Sequence, residues 1–188
     1  MNKPVTDINF WKERLANLTD DNIHHSVLKC PKNTWDTLHN IHIDIVHKHI
    51  TNDDKVLDLA CGYGRLSEHI HNYTGCDLSP DLIRTARDRH SDKTFVVCEH
   101  GKPLPFKDKN FDWCIIISLK EMIISNCGNE EWLFIENEIK RVSSKCLILE
   151  YGELLPESSG VHRSKAFKPS YEIMNTGGVY KHFYNEIS

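Results

Sequence analysis

The chain has 188 residues, 39% of them apolar and 27% charged, with 23 Lys and Arg against 27 Asp and Glu for a formal charge of −4. The length suits one domain and the composition excludes wholesale disorder. No basic run advertises an extended nucleic-acid footprint. The apolar stretches, such as 114–118, fall far short of the ~20 residues of a membrane span. The polar start MNKPVTDINFWKERL has no apolar signal core, so a cytoplasmic protein is expected.

Seven cysteines stand at 30, 61, 76, 98, 114, 127 and 146, with no C-x-x-C pair. Their odd number, and the place of Cys98, Cys114 and Cys146 in apolar strand-like runs, predict reduced, buried thiols. Twelve histidines include none in an H-E-x-x-H pattern. They read as solvated helix residues, and no metal site is expected.

In chain order, Phe10, Trp11, Leu15 and Leu18 recur at helical spacing, and a second helix is expected from Thr34 to His49. From Asp53 the pattern becomes strand–helix alternation. Strands are predicted at 55–60, 73–78, 94–99, 112–118 and 145–150. A helix is expected over 65–72. Another opens with Ser79 as N-cap and Pro80 at the first helical position and runs to about His90. A further helix over 130–143 would turn Trp132, Leu133, Ile135 and Ile139 inward. Five strands with helices between them predict a Rossmann-like α/β fold, a doubly wound, mainly parallel sheet.

The first strand ends in Cys61-Gly-Tyr-Gly64 and a helix should follow. Gly62 and Gly64 allow a sharp turn and a close approach to a ligand at the carboxyl end of the strand. Asp77 lies 19 residues after Asp58, at the end of the second strand, where a carboxylate can accept both ribose hydroxyls of a nucleoside. Glu99 ends the third strand, where the base would lie. A dinucleotide fingerprint fails at Ser67, and no G-K-[ST] of a phosphate loop occurs. Asp58 would repel phosphate but suits an ammonium or a sulfonium.

These stretches resemble the class I S-adenosylmethionine-dependent methyltransferases. VLDLACGYGRLSEHI is similar to their first motif and GCDLSPDLIRTAR to the second. PLPFKDKNFDWCIIIS resembles the approach through the fourth strand, and KRVSSKCLILEYGE the fifth. The resemblance covers about 50–152 and implies S-adenosylmethionine as cofactor. It implies that Asp58 orients the methionine end and that the backbone of Ala60, Gly62 and Gly64 lines the cofactor. Asp77 would hold the ribose, Leu78 would pack on the adenine, and Glu99 and His100 would lie by its amino group. Ser118 would end the fourth strand near the sulfonium. Ala60 stands where many members have glycine. The domain would comprise a helical N-terminal extension or lid (1–50), a cofactor-binding core (51–152) and a shortened C-terminal part (153–188).

The resemblance implies a methyltransferase, and the expected acceptor is a small molecule. Methylation of protein or nucleic acid, lyase-type use of the same cofactor, and a non-catalytic cofactor-binding subunit stay open. The [DN]-P-P-[YFW] tetrapeptide of amino-directed nucleic-acid methyltransferases is replaced by Ser118-Leu-Lys-Glu-Met122. Glu121 is the acid best placed to face an acceptor, although a helix-start carboxylate explains it equally. Cys61 reads as a spacer in the turn. Trp11, Arg14, His25 and Ser26 are candidates to cover the site, and His25 is a second catalytic candidate. Residues 177–184 resemble a sixth strand, with no seventh after it, whereas the family's order ends with strand 7 inside strand 6. That bare edge suggests a homodimer or coverage by the N-terminal helices.

Overall fold

In β1 (Lys55–Leu59) and β4 (Phe111–Ile117) successive side chains alternate between two buried faces, as the period of a strand requires. Val56, Trp113 and Ile115 share one face with Ile43, Ile45 and Val46 of α2 (Lys32–His49) and Ile83 and Ala86 of α3 (Pro80–Arg89). Leu57, Leu59, Cys114 and Ile116 face the other way. There they meet Leu119 and Ile123 of α4 (Leu119–Cys127) and Trp132, Ile139 and Val142 of α5 (Asn129–Val142). The computed structural model describes residues 5–16, 18–154, 167–175 and 178–183, and side chains as far as residue 149.

The remaining strands are β2 (Asn72–Asp77), β3 (Thr94–Val97), β5 (Ser143–Leu154), β6 (Phe167–Asn175) and β7 (Gly178–Phe183). The sheet order is β3-β2-β1-β4-β5-β6-β7, parallel from β3 through β5 and antiparallel thereafter. Helices lie on both faces, so the doubly wound α/β architecture expected from the strand–helix alternation is present. The Ser79 cap is also present: its hydroxyl oxygen accepts a hydrogen bond from Leu82 N at 3.3 Å, with Pro80 opening α3.

Four expectations need correction. The helix over 65–72 is only a 3₁₀ turn at Ser67–His69. Twelve residues, 60–71, must carry the chain from β1 to the parallel β2, about the minimum for such a crossover, and the glycine turn uses several of them. Leu133 is 55% exposed rather than inward, whereas Trp132 and Ile139 are buried as expected. His24 and His42 are buried rather than solvated.

The fourth correction concerns the last strands. A seventh strand exists, and the segment expected as the sixth is β7, at the sheet edge. The true β6 carries Pro169, which cannot donate to a ladder. Ser170 pairs with Glu150 and Lys168 with Glu153, so Pro169 sits opposite a bulge in β5, and the pairing to β7 begins only at Ser170. The order therefore ends with β6 inside β7. Antiparallel neighbours need no long crossover, and the chain runs from β5 to β6 to β7 as a meander.

Candidate functional site

The carboxyl ends of β1, β2 and β3 open on a cleft lined by Ala60, Asp77, Leu78, Glu99 and His100. Leu119 and Ile123 of α4 and Glu131, Phe134, Ile135 and Glu138 of α5 form the opposite wall, and Thr6 reaches it from the N-terminal segment. Five of the residues expected to hold a nucleoside thus come together at one cleft.

The turn after β1 is built around Asp77. Gly62 N donates to Asp77 Oδ2 and Ser79 N to Asp77 Oδ1, each at 2.9 Å, so one carboxylate joins the glycine turn to the start of α3. Burial pushes the Asp77 carboxyl up, and the backbone donors of Ser79, Gly62 and Leu78 oppose that shift. Three backbone donors on a carboxylate with about four acceptor sites leave room for a further donor. Ala60 N and Cys61 N both donate to Cys76 O, at 2.7 and 3.1 Å. Ala60 adopts φ 63, a left-handed conformation that glycine holds without the Cβ penalty. It is exposed to the cleft, while Gly62 and Gly64 are buried.

Gly64, at φ +80, has no room for a side chain: a Cβ would come within 2.8 Å of the Phe95 ring. Gly75 of β2 is as crowded, since a Cβ there would lie 2.7 Å from Phe95 and 2.8 Å from Cys61 Sγ. Sequence reasoning missed Gly75, because a lone glycine inside a strand signals close approach without naming the neighbour.

Asp58 is 3% exposed and accepts a 2.7 Å hydrogen bond from Tyr73 Oη. Desolvation dominates and lifts its pKa to about 6, against the Tyr73 hydrogen bond and the Arg65 charge, which lower it. Tyr73 was not anticipated; it carries no motif and is recognised only through the parallel pairing of β1 with β2. Cys61 is buried, and desolvation raises its thiol well above the usual range, as suits a spacer rather than a nucleophile.

The N-terminal segment covers the other side of the turn. Tyr63, Trp35 and Leu82 are buried together, with Trp11, Leu15, Ile23, Val27 and Leu28 packed against them. Val27 Cγ2 lies 3.9 Å from where a Gly62 Cβ would stand. Arg14 of α1 (Ile8–Leu15) holds this cover by donating to the carbonyls of His25 and Val27, each at 3.1 Å. Trp11 Nε1 donates to Val5 O at 2.7 Å. Ser26 is 1% exposed, and its hydroxyl makes no hydrogen bond among the described residues.

The catalytic candidates lie apart from the cleft lining. Glu121 is exposed on α4. His25 Nε2 is 3.2 Å from Cys30 O. Ser118 caps α4 at φ 51 and donates its backbone N–H to Leu149 O at 2.8 Å. Among the described residues no cluster of three His, Cys, Asp or Glu could hold a metal, and no helix is long and apolar enough to cross a membrane.

Fold and site together define an open α/β sheet with a cleft at the carboxyl ends of its central strands. Residues 57–145 match a family described as a methyltransferase domain. The 18S rRNA (guanine-N(7))-methyltransferase of Bos taurus is 39% identical over 67 residues, 34% of this chain and 24% of that protein. The match spans only about a quarter of the length of the curated relatives. Among solved structures, the PH0226 protein of Pyrococcus horikoshii OT3 is 22% identical, with 82% of this chain and 77% of that one covered and a TM-score of 0.54. An Aquifex aeolicus SAM dependent methyltransferase is 16% identical, with coverage of 75% and 77% and a TM-score of 0.53. Residues 57–145 are thus similar to a methyltransferase domain, and the solved structures share the fold.

Proposed function

We propose that the protein is an S-adenosylmethionine-dependent methyltransferase acting on a small-molecule acceptor. The observation that carries this reading is the cleft in which Asp77, held by Gly62 N and Ser79 N, meets Leu78, Glu99 and His100. Its walls are apolar and its polar groups are mostly acceptors, which suits a nucleoside that offers two hydroxyls and an amine. Asp77 would take the ribose hydroxyls, Leu78 the face of the base, and Glu99 and His100 its edge. Asp58, with the backbone of Ala60, Gly62 and Gly64, would serve the amino-acid end, and Ser118 the region beside the sulfonium. When bound, the cofactor supplies an activated methyl group, and the protein's part is alignment. Glu121 and His25 are the acid–base candidates on the acceptor side, needed only for an acceptor protonated at neutral pH.

The formal charge of −4 and the absence of the amine-holding tetrapeptide favour a small acceptor over nucleic acid. The likeness to an rRNA methyltransferase favours a second reading, methylation of RNA. The full chain, incubated with S-adenosylmethionine and either small-molecule acceptor pools or total RNA, should form S-adenosylhomocysteine with the former. Turnover on RNA alone would move the assignment to the second reading. Other cofactor breakdown products would indicate lyase chemistry, and binding without turnover a regulatory subunit. We also assign the protein to the cytoplasm, in keeping with seven free cysteines, and a homodimer through β7, which is hydrogen-bonded only to β6 among the described strands. Light scattering that reports a monomer would remove the dimer.

A further inference from the structure

The helical layer has a gap where the crossover from β1 to β2 makes only a 3₁₀ turn at Ser67–His69. A cavity of about 240 Å³ lies there, bounded by α2, the 3₁₀ turn at Asp20–Ser26, the crossover and the end of α3. It shares no lining residue with the cleft at the carboxyl ends of the strands. Lys32, Trp35, Asp36 and His39 line it from α2 at i, i+3, i+4 and i+7, one face of a helix. Arg65 lines it from the crossover and is half-buried. Its Nη1 and Nη2 donate to His39 Nδ1 and His42 Nδ1, each at 2.8 Å, and its guanidinium lies 5.2 Å from the centre of the Trp35 ring.

These partners orient Arg65 without offsetting its charge. Burial, seconded by the Arg65 charge itself, holds His39 down at a pKa of about 4, so His39 is a neutral acceptor. No carboxylate lies within ion-pair distance of Arg65 among the described residues, and three of its five N–H donors have no hydrogen-bond partner among them. Lys32 and Arg89 bring two more cations to the same cavity. Their partners, Asp36 and Asp20, are exposed, and such surface pairs are weak and readily exchanged. Glu68, the third carboxylate of the lining, is 71% exposed at the rim. A planar guanidinium fork receives two oxygens of one oxyanion, and three cations around it favour a dianion over a monoanion. We propose that this gap is a second binding site, separate from the cleft, which takes a phosphate group on the Arg65 fork with Lys32 and Arg89 at its rim. The cavity has room beyond a bare phosphate, with Ile23, Trp35 and Tyr63 on its walls, and so admits a phosphomonoester as well as the inorganic ion. The site does not depend on what the cleft binds.

The test is calorimetric titration of the full chain with inorganic phosphate, ribose 5-phosphate and acetate at pH 8, where the phosphates are dianions. Both phosphates should bind one per chain, and acetate should bind weaker by roughly tenfold or more, as a single charge does. A tighter ester identifies a phosphomonoester as the ligand and equal affinities the inorganic ion; either supports the site. Arg65→Lys keeps a cation but loses the fork, and should weaken phosphate by about tenfold. Lys32→Gln changes only an exposed side chain, which keeps the fold out of the question, and should weaken phosphate by about two- to fivefold. Saturating S-adenosylhomocysteine should leave phosphate affinity unchanged, because the two sites share no residue. No phosphate binding at millimolar concentrations, acetate bound as well as phosphate, or affinity unchanged in both variants overturns the inference. So does competition with S-adenosylhomocysteine, which would place the phosphate in the cleft. If S-adenosylhomocysteine itself fails to bind, the cofactor reading falls while the phosphate titrations still decide this site.

Discussion

The two sides of the turn after β1 differ in kind. On one side Ala60 opens to a cleft with an apolar slot and acceptors on its walls. On the other, Gly62, Tyr63 and Gly64 are buried, and Val27, Trp35 and Phe95 crowd against them. The open side is held by backbone donors aimed at one carboxylate. The covered side is held by aromatic packing and by one arginine that grips two carbonyls. The turn is thus preformed and open on one side and roofed on the other, with the sheet itself common to both.

The strongest way to break the contrast is to crowd the covered side. Gly64→Ala and Gly75→Ala each drive a methyl into the Phe95 ring, and Gly64 adds a left-handed φ. Each should cost about 2–4 kcal/mol of stability by urea unfolding. A loss below about 1 kcal/mol would mean that Phe95 moves aside freely. Next, Asp77→Ala should weaken S-adenosylmethionine binding by about 1.5–3 kcal/mol, the scale of hydrogen bonds to a charged group. Unchanged affinity in a folded variant would remove Asp77 from the site.

A smaller effect of opposite sign is expected at Asp58. A folded-state pKa raised from 3.8 to about 6 means that the fold favours the protonated acid. Its contribution is full below pH 3.8 and is lost as pH rises through about 6. Asp58→Asn keeps an acceptor for Tyr73 and should gain about 1–2 kcal/mol at pH 8, with little gain at pH 4. No gain at pH 8 would show that the carboxylate is better solvated than its burial implies.

The covered side should also weaken first in acid. Burial lowers the pKa of His24, His69 and His90, and moves His39 from 6.5 to about 4, helped by Arg65 and His69. A depressed histidine pKa leaves stability intact above the unfolded value of 6.5 and removes it as pH falls toward about 4. Hydrogen exchange should therefore quicken in 20–40 between pH 6.5 and 4 before it does in β1 and β4. Uniform acceleration would contradict a locally held cover. The mildest probe is Arg14→Met, which frees the carbonyls of His25 and Val27. It should cost about 1 kcal/mol or less locally and raise exchange in 24–28 alone.

Much of this was legible in the sequence where local chemistry and fold agree. The Val56–Leu59 run, the Ser79-Pro80 helix start and the spacing of Asp58 from Asp77 all led to the elements and to the cleft. The sequence misled where a neighbour remote in the chain decides the outcome. Pro169 argues against a strand until the bulge opposite it in β5 is known. A helix over 65–72 was plausible until the short span to β2 left no room for it. His42 looks like a solvated helix residue, yet it is buried and accepts from Arg65 Nη2 at 2.8 Å.

Burial also lets Asp58 hold a proton near pH 6, where its pKa has been lifted. An acid that is half-protonated near pH 6 and shut away beside Tyr73 cannot exchange its charge with the solvent cheaply. A cation arriving beside it stabilises the carboxylate and drives the proton out. Binding of the sulfonium cofactor near pH 6 should then release a fraction of a proton, and the calorimetric enthalpy should vary with the ionisation heat of the buffer. In Asp58→Asn that dependence should vanish. Buffer-independent heats in the unaltered protein would show that the charge at the end of β1 is settled before any ligand arrives.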